Sequence, residues 1–250
     1  MLSKSQIRLV TSLKQKKFRQ QHGAFLVEGT KSVQEFLRSD YQILSLFYLP
    51  GTLTKMGKIP ENTELFEVSE VELKKISQLT TPQHVLALVK IPEFSHVDSL
   101  ERLDMRGRFA LVLDEVQDPG NLGTIIRTAD WFGFSDIFCS KGTVDAYSPK
   151  TVQATMGSLS RLRVWYVDLP TLFEQKKMPV FGAVLDGQSI FQTDFGHEGF
   201  ILLGNEGHGI SESHRSYISQ GVTIPRLGEA ESLNVAISTA LFCAEVVRGT

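Results

Sequence analysis

The stretch Phe200–Ser211, FILLGNEGHGIS, decides how the chain is read. It opens on four consecutive apolar residues, Phe200 to Leu203, bounded by Gly199 and Gly204. That run is too short for a globular helix, and between turn signals it predicts a buried, parallel strand. Three glycines then fall within Gly204–Gly209, so the backbone can turn sharply and lie close to a ligand. A strand that ends in a glycine-rich loop with polar groups at its carboxyl end is where open α/β sheets bind their ligands. Taken alone, the pattern is equally that of a plain tight turn.

Two further stretches share this build. Phe109–Asp114, FALVLD, is an apolar strand ending in a carboxylate. Pro119-Gly120 then turns the chain, and Asn121 is the expected N-cap of a helix over Leu122–Phe132 with Ile125, Ile126 and Ala129 on its buried face. Near the carboxyl terminus, Gly221–Pro225 is a short strand stopped by proline. Ser232 or Asn234 caps the final helix, whose apolar residues include Val235, Leu241, Phe242 and Val246. These three segments, in this order and spacing, resemble the three motifs of the SpoU (TrmH-like) family of RNA ribose methyltransferases within the SPOUT superfamily, over residues 109–248.

The 250 residues suffice for one large domain or two modest ones, with 42% hydrophobic and 22% charged side chains, an ordinary globular composition. The sequence contains neither an apolar run of membrane-spanning length nor the apolar core of a signal peptide, and a cytoplasmic location is expected. Cys139 and Cys243 are isolated thiols without metal spacing, and the six histidines form no zinc pattern. The net charge of −2 is unevenly distributed. Residues 1–94 carry 13 basic and 9 acidic side chains, and residues 95–250 carry 13 and 19. Lys4, Arg8, Lys14, Lys16, Lys17 and Arg19 precede the first acid, Glu28. The segment reads either as a solvated helix face running to Lys14 or as a phosphate-contacting arm. The downstream motifs favour the arm, with Arg8, Lys14, Lys16, Lys17 and Arg19 as RNA contacts.

The pattern of elements predicts two α/β units. Strands at Phe25–Val27, Gln42–Leu49, Leu65–Val68 and His84–Val89, with helices over Lys31–Arg38 and Val71–Leu79, make a small first domain, residues 1–94. Its FLVEGTKSVQEFL and TPQHVLALVK segments resemble the RNA-binding domain that precedes the catalytic domain in many SpoU enzymes. Residues 95–108 form a linker, within a connection spanning Ile91–Arg108. From residue 109 to 250, strands at Ser135–Cys139, Leu162–Val167 and Val180–Val184 alternate with helices at Pro149–Met156 and Leu169–Gln175, giving a parallel sheet covered on both faces. Periodicity alone gives an ordinary doubly wound sheet; the resemblance implies a SPOUT domain with a trefoil knot.

The resemblance also implies the chemistry, methyl transfer from S-adenosylmethionine to a ribose 2′-hydroxyl. Asn121 and Arg127 fall in the first motif, Glu206 in the second, Ser232 and Asn234 in the third, and these five are the expected catalytic residues. Singly, each has a bland reading: Arg127 paired with Asp130, Glu206 capping a turn, Ser232 and Asn234 as helix caps. Arg127 is expected to grip phosphate and stabilise charge on the 2′-oxygen rather than act as a base, because a guanidinium has no ready lone pair. Leu203, Gly204, Asn205, Gly207, Ile224, Pro225, Leu233 and Asn234 are the expected cofactor-binding residues. No metal is expected. Relatives form homodimers through the knot region, and the final helix, with Leu241, Phe242, Val246 and Val247, carries more apolar surface than a terminal helix needs. The expected partner is ribosomal RNA, with transfer RNA as the alternative. A base-nitrogen methyltransferase, a non-catalytic RNA-binding protein of the same fold and a Rossmann-type enzyme are the rivals. The last lacks GxGxxG after its first strand. Two departures stand out: Gln153 replaces an arginine of many relatives, with Lys150, Arg161 and Arg163 as possible substitutes, and Glu229 and Glu231 make the third loop acidic.

Overall fold

The computed structural model describes residues 1–92, 100 and 102–249. Two compact units emerge, one of residues 1–92 with 145–161, the other of residues 93–144 with 162–250.

The first unit is built on a four-stranded sheet of β1 (Ala24–Glu28), β2 (Ile43–Tyr48), β3 (Glu64–Glu67) and β4 (Val85–Lys90) in the order β1-β4-β2-β3. β4 runs antiparallel to β1 and β2, and β2 runs parallel to β3, so three strands finish at the end where β4 begins. The amino-terminal segment forms two helices rather than one. α1 (Lys4–Ser12) starts at a capping box in which Ser3 and Gln6 satisfy each other's backbone N–H groups. α2 (Lys16–His22) ends at Gly23, whose left-handed φ of +57° lets the chain turn into β1. α3 (Thr30–Leu37) and α4 (Glu70–Ile76) complete the head of the unit, with Val10, Leu13, Leu26, Phe47, Leu73 and Ile76 in one core.

Residues 145–161 were expected in the catalytic half but pack with this first unit. Arg19 explains part of the attachment. It is 3% exposed, donates from Nη2 to Asp145 Oδ2 at 2.5 Å and from Nη1 to the carbonyls of Leu13 and Lys14 at 2.8 and 3.0 Å. The Phe25 and Tyr147 rings lie 4.8 Å apart.

The second unit is a six-stranded, wholly parallel sheet in the order β10-β8-β9-β5-β6-β7. Its strands are β5 (Phe109–Leu113), β6 (Asp136–Cys139), β7 (Arg163–Tyr166), β8 (Val180–Ser189), β9 (Gly199–Leu203) and β10 (Gln220–Thr223). The two motif strands β9 and β5 lie side by side at its centre, Leu203 opposite Leu113, which aligns the loops that follow them. Every residue of β9 is buried, as a strand covered on both faces requires. Ala110, Val112, Phe138, Phe200 and Leu202 pack with Trp165, Leu172 and Phe173. α5 (Pro119–Trp131) and the final helix, here α9 (Val235–Gly249), pack against each other. Between them in sequence come α6 (Pro149–Thr155) of the first unit, α7 (Leu169–Lys176) and the short α8 (Glu212–Arg215). In the expected linker, residues 95–99 and 101 lie outside the described residues. Leu100 and Met105 are buried in the second unit's core, so that part of the segment belongs to the unit rather than connecting it to another.

Candidate active site

The site forms where the chain leaves β5 and β9. β5 ends at Asp114, and the next residue, Glu115, takes a left-handed backbone with φ of +57°. A non-glycine residue holds that strained conformation only when its surroundings impose it. Here the Glu115 N–H donates to Ser140 Oγ at 2.9 Å and its carbonyl accepts from Asn205 Nδ2 at 2.7 Å. The helix that follows is capped by Asp118, whose carboxylate accepts from the Asn121 N–H at 2.8 Å, with Pro119 at the first helical position. Asn121 is therefore not the N-cap that was expected. It stands in the first turn, and its side chain is released for other contacts.

Those contacts join all three motifs. Asn121 donates from Nδ2 to Glu206 Oε1 at 2.9 Å, and Asn121 Oδ1 accepts from Asn234 Nδ2 at 3.0 Å. Asn234 also caps α9, accepting the Ala236 and Ile237 N–H groups on Oδ1 at 2.9 and 3.3 Å. The relay Glu206–Asn121–Asn234 thus ties the glycine-rich loop, the start of α5 and the start of α9.

The glycine-rich loop is a closed turn. Asn205 and Gly209 exchange two backbone hydrogen bonds of 3.0 Å, and Asn205 Oδ1 accepts the Gly207 N–H at 2.8 Å. Gly204 is required because a side chain there would run into the Gly209 backbone. Beyond the loop, a buried anchor holds the chain down. Asp114 is fully buried, and its Oδ2 accepts from the Ser211 N–H at 2.8 Å and Ser211 Oγ at 2.7 Å, with His214 Nδ1 at 2.9 Å. Neither Ser211 nor His214 was singled out from the sequence. The usable signal was the carboxylate at the end of an apolar strand, a buried charge that has to be paired.

A cavity of about 600 Å³ opens between these loops. Leu203, Gly204, Asn205, Gly207, Ile224 and Leu233, expected to bind cofactor, line it; Pro225 and Asn234 do not. Glu206 and Ser232 face it as well, with Ser232 exposed and making no hydrogen bond among the described residues. Val222, Val235 and Phe242 supply apolar wall, while Asp186, Arg215 and Glu231 are among its charged residues. Arg127 lies apart from the wall. It is exposed, makes no hydrogen bond or ion pair among the described residues, and stands six residues, or about 9 Å of helix rise, beyond Asn121.

Of the expected RNA contacts, Arg8, Lys14, Lys16 and Lys17 are exposed, whereas Arg19 is buried in its ion pair and is unavailable to RNA. The possible substitutes for Gln153 are partly committed: Arg161 pairs with Glu35, and Arg163 with the buried Asp136. Lys150 is exposed.

Residues 108–244 match the model of the SpoU rRNA Methylase family, and residues 4–87 match an MRM3-like substrate binding domain. The chain belongs to the SpoU rRNA Methylase family. It is 33% identical to the 23S rRNA (guanosine(2553)-2′-O)-methyltransferase RlmP of Bacillus subtilis (strain 168), over 90% of this chain and 89% of that one. A solved structure from Porphyromonas gingivalis, assigned to the TrmH family of RNA methyltransferases, superposes with a TM-score of 0.90 at 39% identity over the whole of both chains. The AdoMet-bound rRNA methyltransferase of Sinorhizobium meliloti superposes with a TM-score of 0.86 at 29% identity, covering 99% of this chain and 97% of that one. Within this SpoU chain Asn121 touches both Glu206 and Asn234, three of the five residues expected to be catalytic, whereas Arg127 and Ser232 stand free of them.

Proposed function

We propose that this chain methylates a ribose 2′-hydroxyl of structured RNA, ribosomal RNA ahead of transfer RNA, with S-adenosylmethionine as methyl donor. The observation that carries the reading is the Glu206–Asn121–Asn234 relay, which ties the three loops together, with the second and third of them lining the 600 Å³ cavity.

The cavity suits the cofactor's chemistry. Adenine needs apolar walls and backbone hydrogen-bonding groups, and Ile224, Leu233 and the Leu203-Gly204 backbone supply both. A cationic sulfonium and amine are matched by Asp186, Glu206 and Glu231 on the wall. When bound, S-adenosylmethionine supplies a methyl group on a positively charged sulfur, a leaving group that needs no Lewis acid. The protein's task is then orientation and charge. Asn121, held from both sides, keeps one N–H and its neighbours in fixed register for the ribose. Glu206 is a carboxylate at the site able to accept the hydroxyl proton, while Arg127, a guanidinium with no ready lone pair, offers a free cation to phosphate and to the developing oxyanion.

Two further parts of the reading concern assembly. A trefoil knot is supported by the return of α9 from the edge strand β10 to the middle of the sheet, where it meets α5 and β9. A homodimer is supported by exposed Ile237, Leu241 and Val247 on α9 and Trp131, 84% exposed, on α5; Phe242 and Val246, by contrast, face the core. No described helix is long and apolar enough to cross a membrane, in keeping with action in the cytoplasm.

Calorimetric titration with S-adenosylmethionine in excess EDTA tests the cofactor assignment. Saturable binding by the wild type, with methyl incorporation lost in Glu206→Ala and Asn121→Ala, is expected. No binding to the cofactor would sink the proposal.

A further inference from the structure

S-adenosylmethionine carries one anionic group, the carboxylate of its methionine end, and the wall of the 600 Å³ cavity offers that group few partners. Asp186, Glu206 and Glu231 repel it, and Ser232 brings only a neutral hydroxyl. A glycine-rich loop can present a row of backbone N–H groups to an anion, but here they are spent inside the loop. Asn205 Oδ1 accepts from the Gly207 N–H at 2.8 Å and the His208 N–H at 3.4 Å. The Asn205 and Gly209 N–H groups donate to each other's carbonyls at 3.0 Å. The His208 ring is turned to Glu115, its Nε2 lying 3.4 Å from Oε2. Among the described residues, Arg215 is the one arginine or lysine on the wall.

Arg215 is mounted firmly and left with donors to spare. Its backbone N–H donates to the Ser211 carbonyl at 3.2 Å, within the segment that Asp114 holds down, and its Nε donates to the Ile210 carbonyl at 3.3 Å. Neither η nitrogen makes a hydrogen bond among the described residues. Glu212 Oε2 stands 3.6 Å from Nε, but that carboxylate is 93% exposed, and so solvated a pair holds the guanidinium weakly. We propose that Arg215 receives the carboxylate of S-adenosylmethionine and makes the cavity select the intact cofactor over molecules that lack that group. A guanidinium presents parallel N–H donors that match the two oxygens of a carboxylate. Selection is a difference of two affinities, and only the ligand with a carboxylate gains from those donors. The inference rests on the reading that this cavity holds S-adenosylmethionine.

The test is calorimetric titration of the full chain with S-adenosylmethionine and with its decarboxylated form, which differs from it by that group alone. The ratio of the two dissociation constants should shift about tenfold against the intact cofactor in Arg215→Met, the low end for a charged hydrogen-bonded pair because the arginine is half-exposed. The decarboxylated form should bind the variant at least as well as the wild type, since a cation has left the wall, and this also reports that the cavity is folded. Lys141→Met removes a positive charge from an exposed position of the same unit, off the wall, and should leave the ratio unchanged. A ratio within about twofold of wild type in Arg215→Met, or an equal shift in Lys141→Met, would overturn the assignment. Equal weakening of both ligands would overturn it too, leaving Arg215 as a structural tie to Ile210. A wild type that binds the cofactor beside a variant of unchanged ratio removes this inference alone; a wild type that binds neither ligand removes the cofactor reading and this inference with it.

Discussion

Replacing Asp114 by asparagine probes how the cofactor cavity is kept in shape. Asp114 is fully buried, and one of its oxygens accepts from Ser211 N–H and Ser211 Oγ–H at 2.8 and 2.7 Å, with His214 Nδ1 2.9 Å from the same oxygen and 2.8 Å from Ser211 Oγ. Ile210 and Arg215, on either side of these donors, line the cavity. Hydrogen bonds to a charged acceptor contribute about 1.5–3 kcal/mol each and neutral ones about 0.5–1.5 kcal/mol. An amide oxygen of the same shape keeps the geometry and loses roughly 1 kcal/mol per bond, so Asp114→Asn should cost about 2 kcal/mol. Ser211→Ala removes the Oγ bond to Asp114 together with the Oγ contact to His214 Nδ1 and should cost about 1–2 kcal/mol. Urea unfolding followed by circular dichroism gives the stability. Calorimetry should show S-adenosylmethionine binding weakened about tenfold if 1.4 kcal/mol of that loss appears as loosening of the segment in the free protein. A stability change below about 0.5 kcal/mol, with cofactor affinity intact, would mean the three contacts do not organise the loop.

Arg19→Ala should lower the stability of the first unit by about 3–5 kcal/mol, because it strands Asp145, 14% exposed, without its partner. A melting temperature equal to that of the wild type would return Arg19 to the surface. Lys14, Lys16 and Lys17, all exposed, can be reversed to glutamate with little effect on melting, and a large drop there would contradict their solvated placement. Glu28 has its pKa raised above 4.5, chiefly by burial, against hydrogen bonds from Ser77 and Gln78 that lower it. Its contribution to stability is fully present below the unfolded value and is lost as pH rises through the folded one. Wild type should therefore lose more stability than Glu28→Gln from pH 4.5 upward through the Glu28 folded pKa, and parallel pH profiles would refute this. Ile237→Glu with Leu241→Glu should convert a dimer to monomers in sedimentation velocity; a wild type already monomeric at micromolar concentration would remove the dimer from the account.

The strands of the second unit were legible because parallel, doubly covered strands are continuous apolar runs; β5 spans Phe109–Leu113 as expected. The three motif loops followed from glycine and proline placement. The failures have physical causes. Asn121 looked like a cap because it precedes an apolar periodicity, but Asp118 before Pro119 is the stronger signal, since proline at the first helical position needs no N–H of its own. Arg19 looked like part of a basic arm because its partner, Asp145, is 126 residues away and no local pattern reveals it. The attachment of residues 145–161 to the first unit is likewise a matter of long-range packing. Ser211 and His214 became visible only once β5 and β9 lay side by side and brought Asp114 beneath the loop.

The central claim is that a methyl group is delivered to a ribose oxygen. Purified protein, incubated with an unmodified large-subunit ribosomal RNA transcript and methyl-labelled S-adenosylmethionine, is followed by alkaline hydrolysis and mass mapping. A 2′-O-methyl group blocks cleavage of the adjoining phosphodiester, so the account predicts label in an alkali-resistant dinucleotide at a single site, absent with Arg127→Ala although that variant still binds the cofactor. Label recovered in a mononucleotide methylated on its base would contradict it.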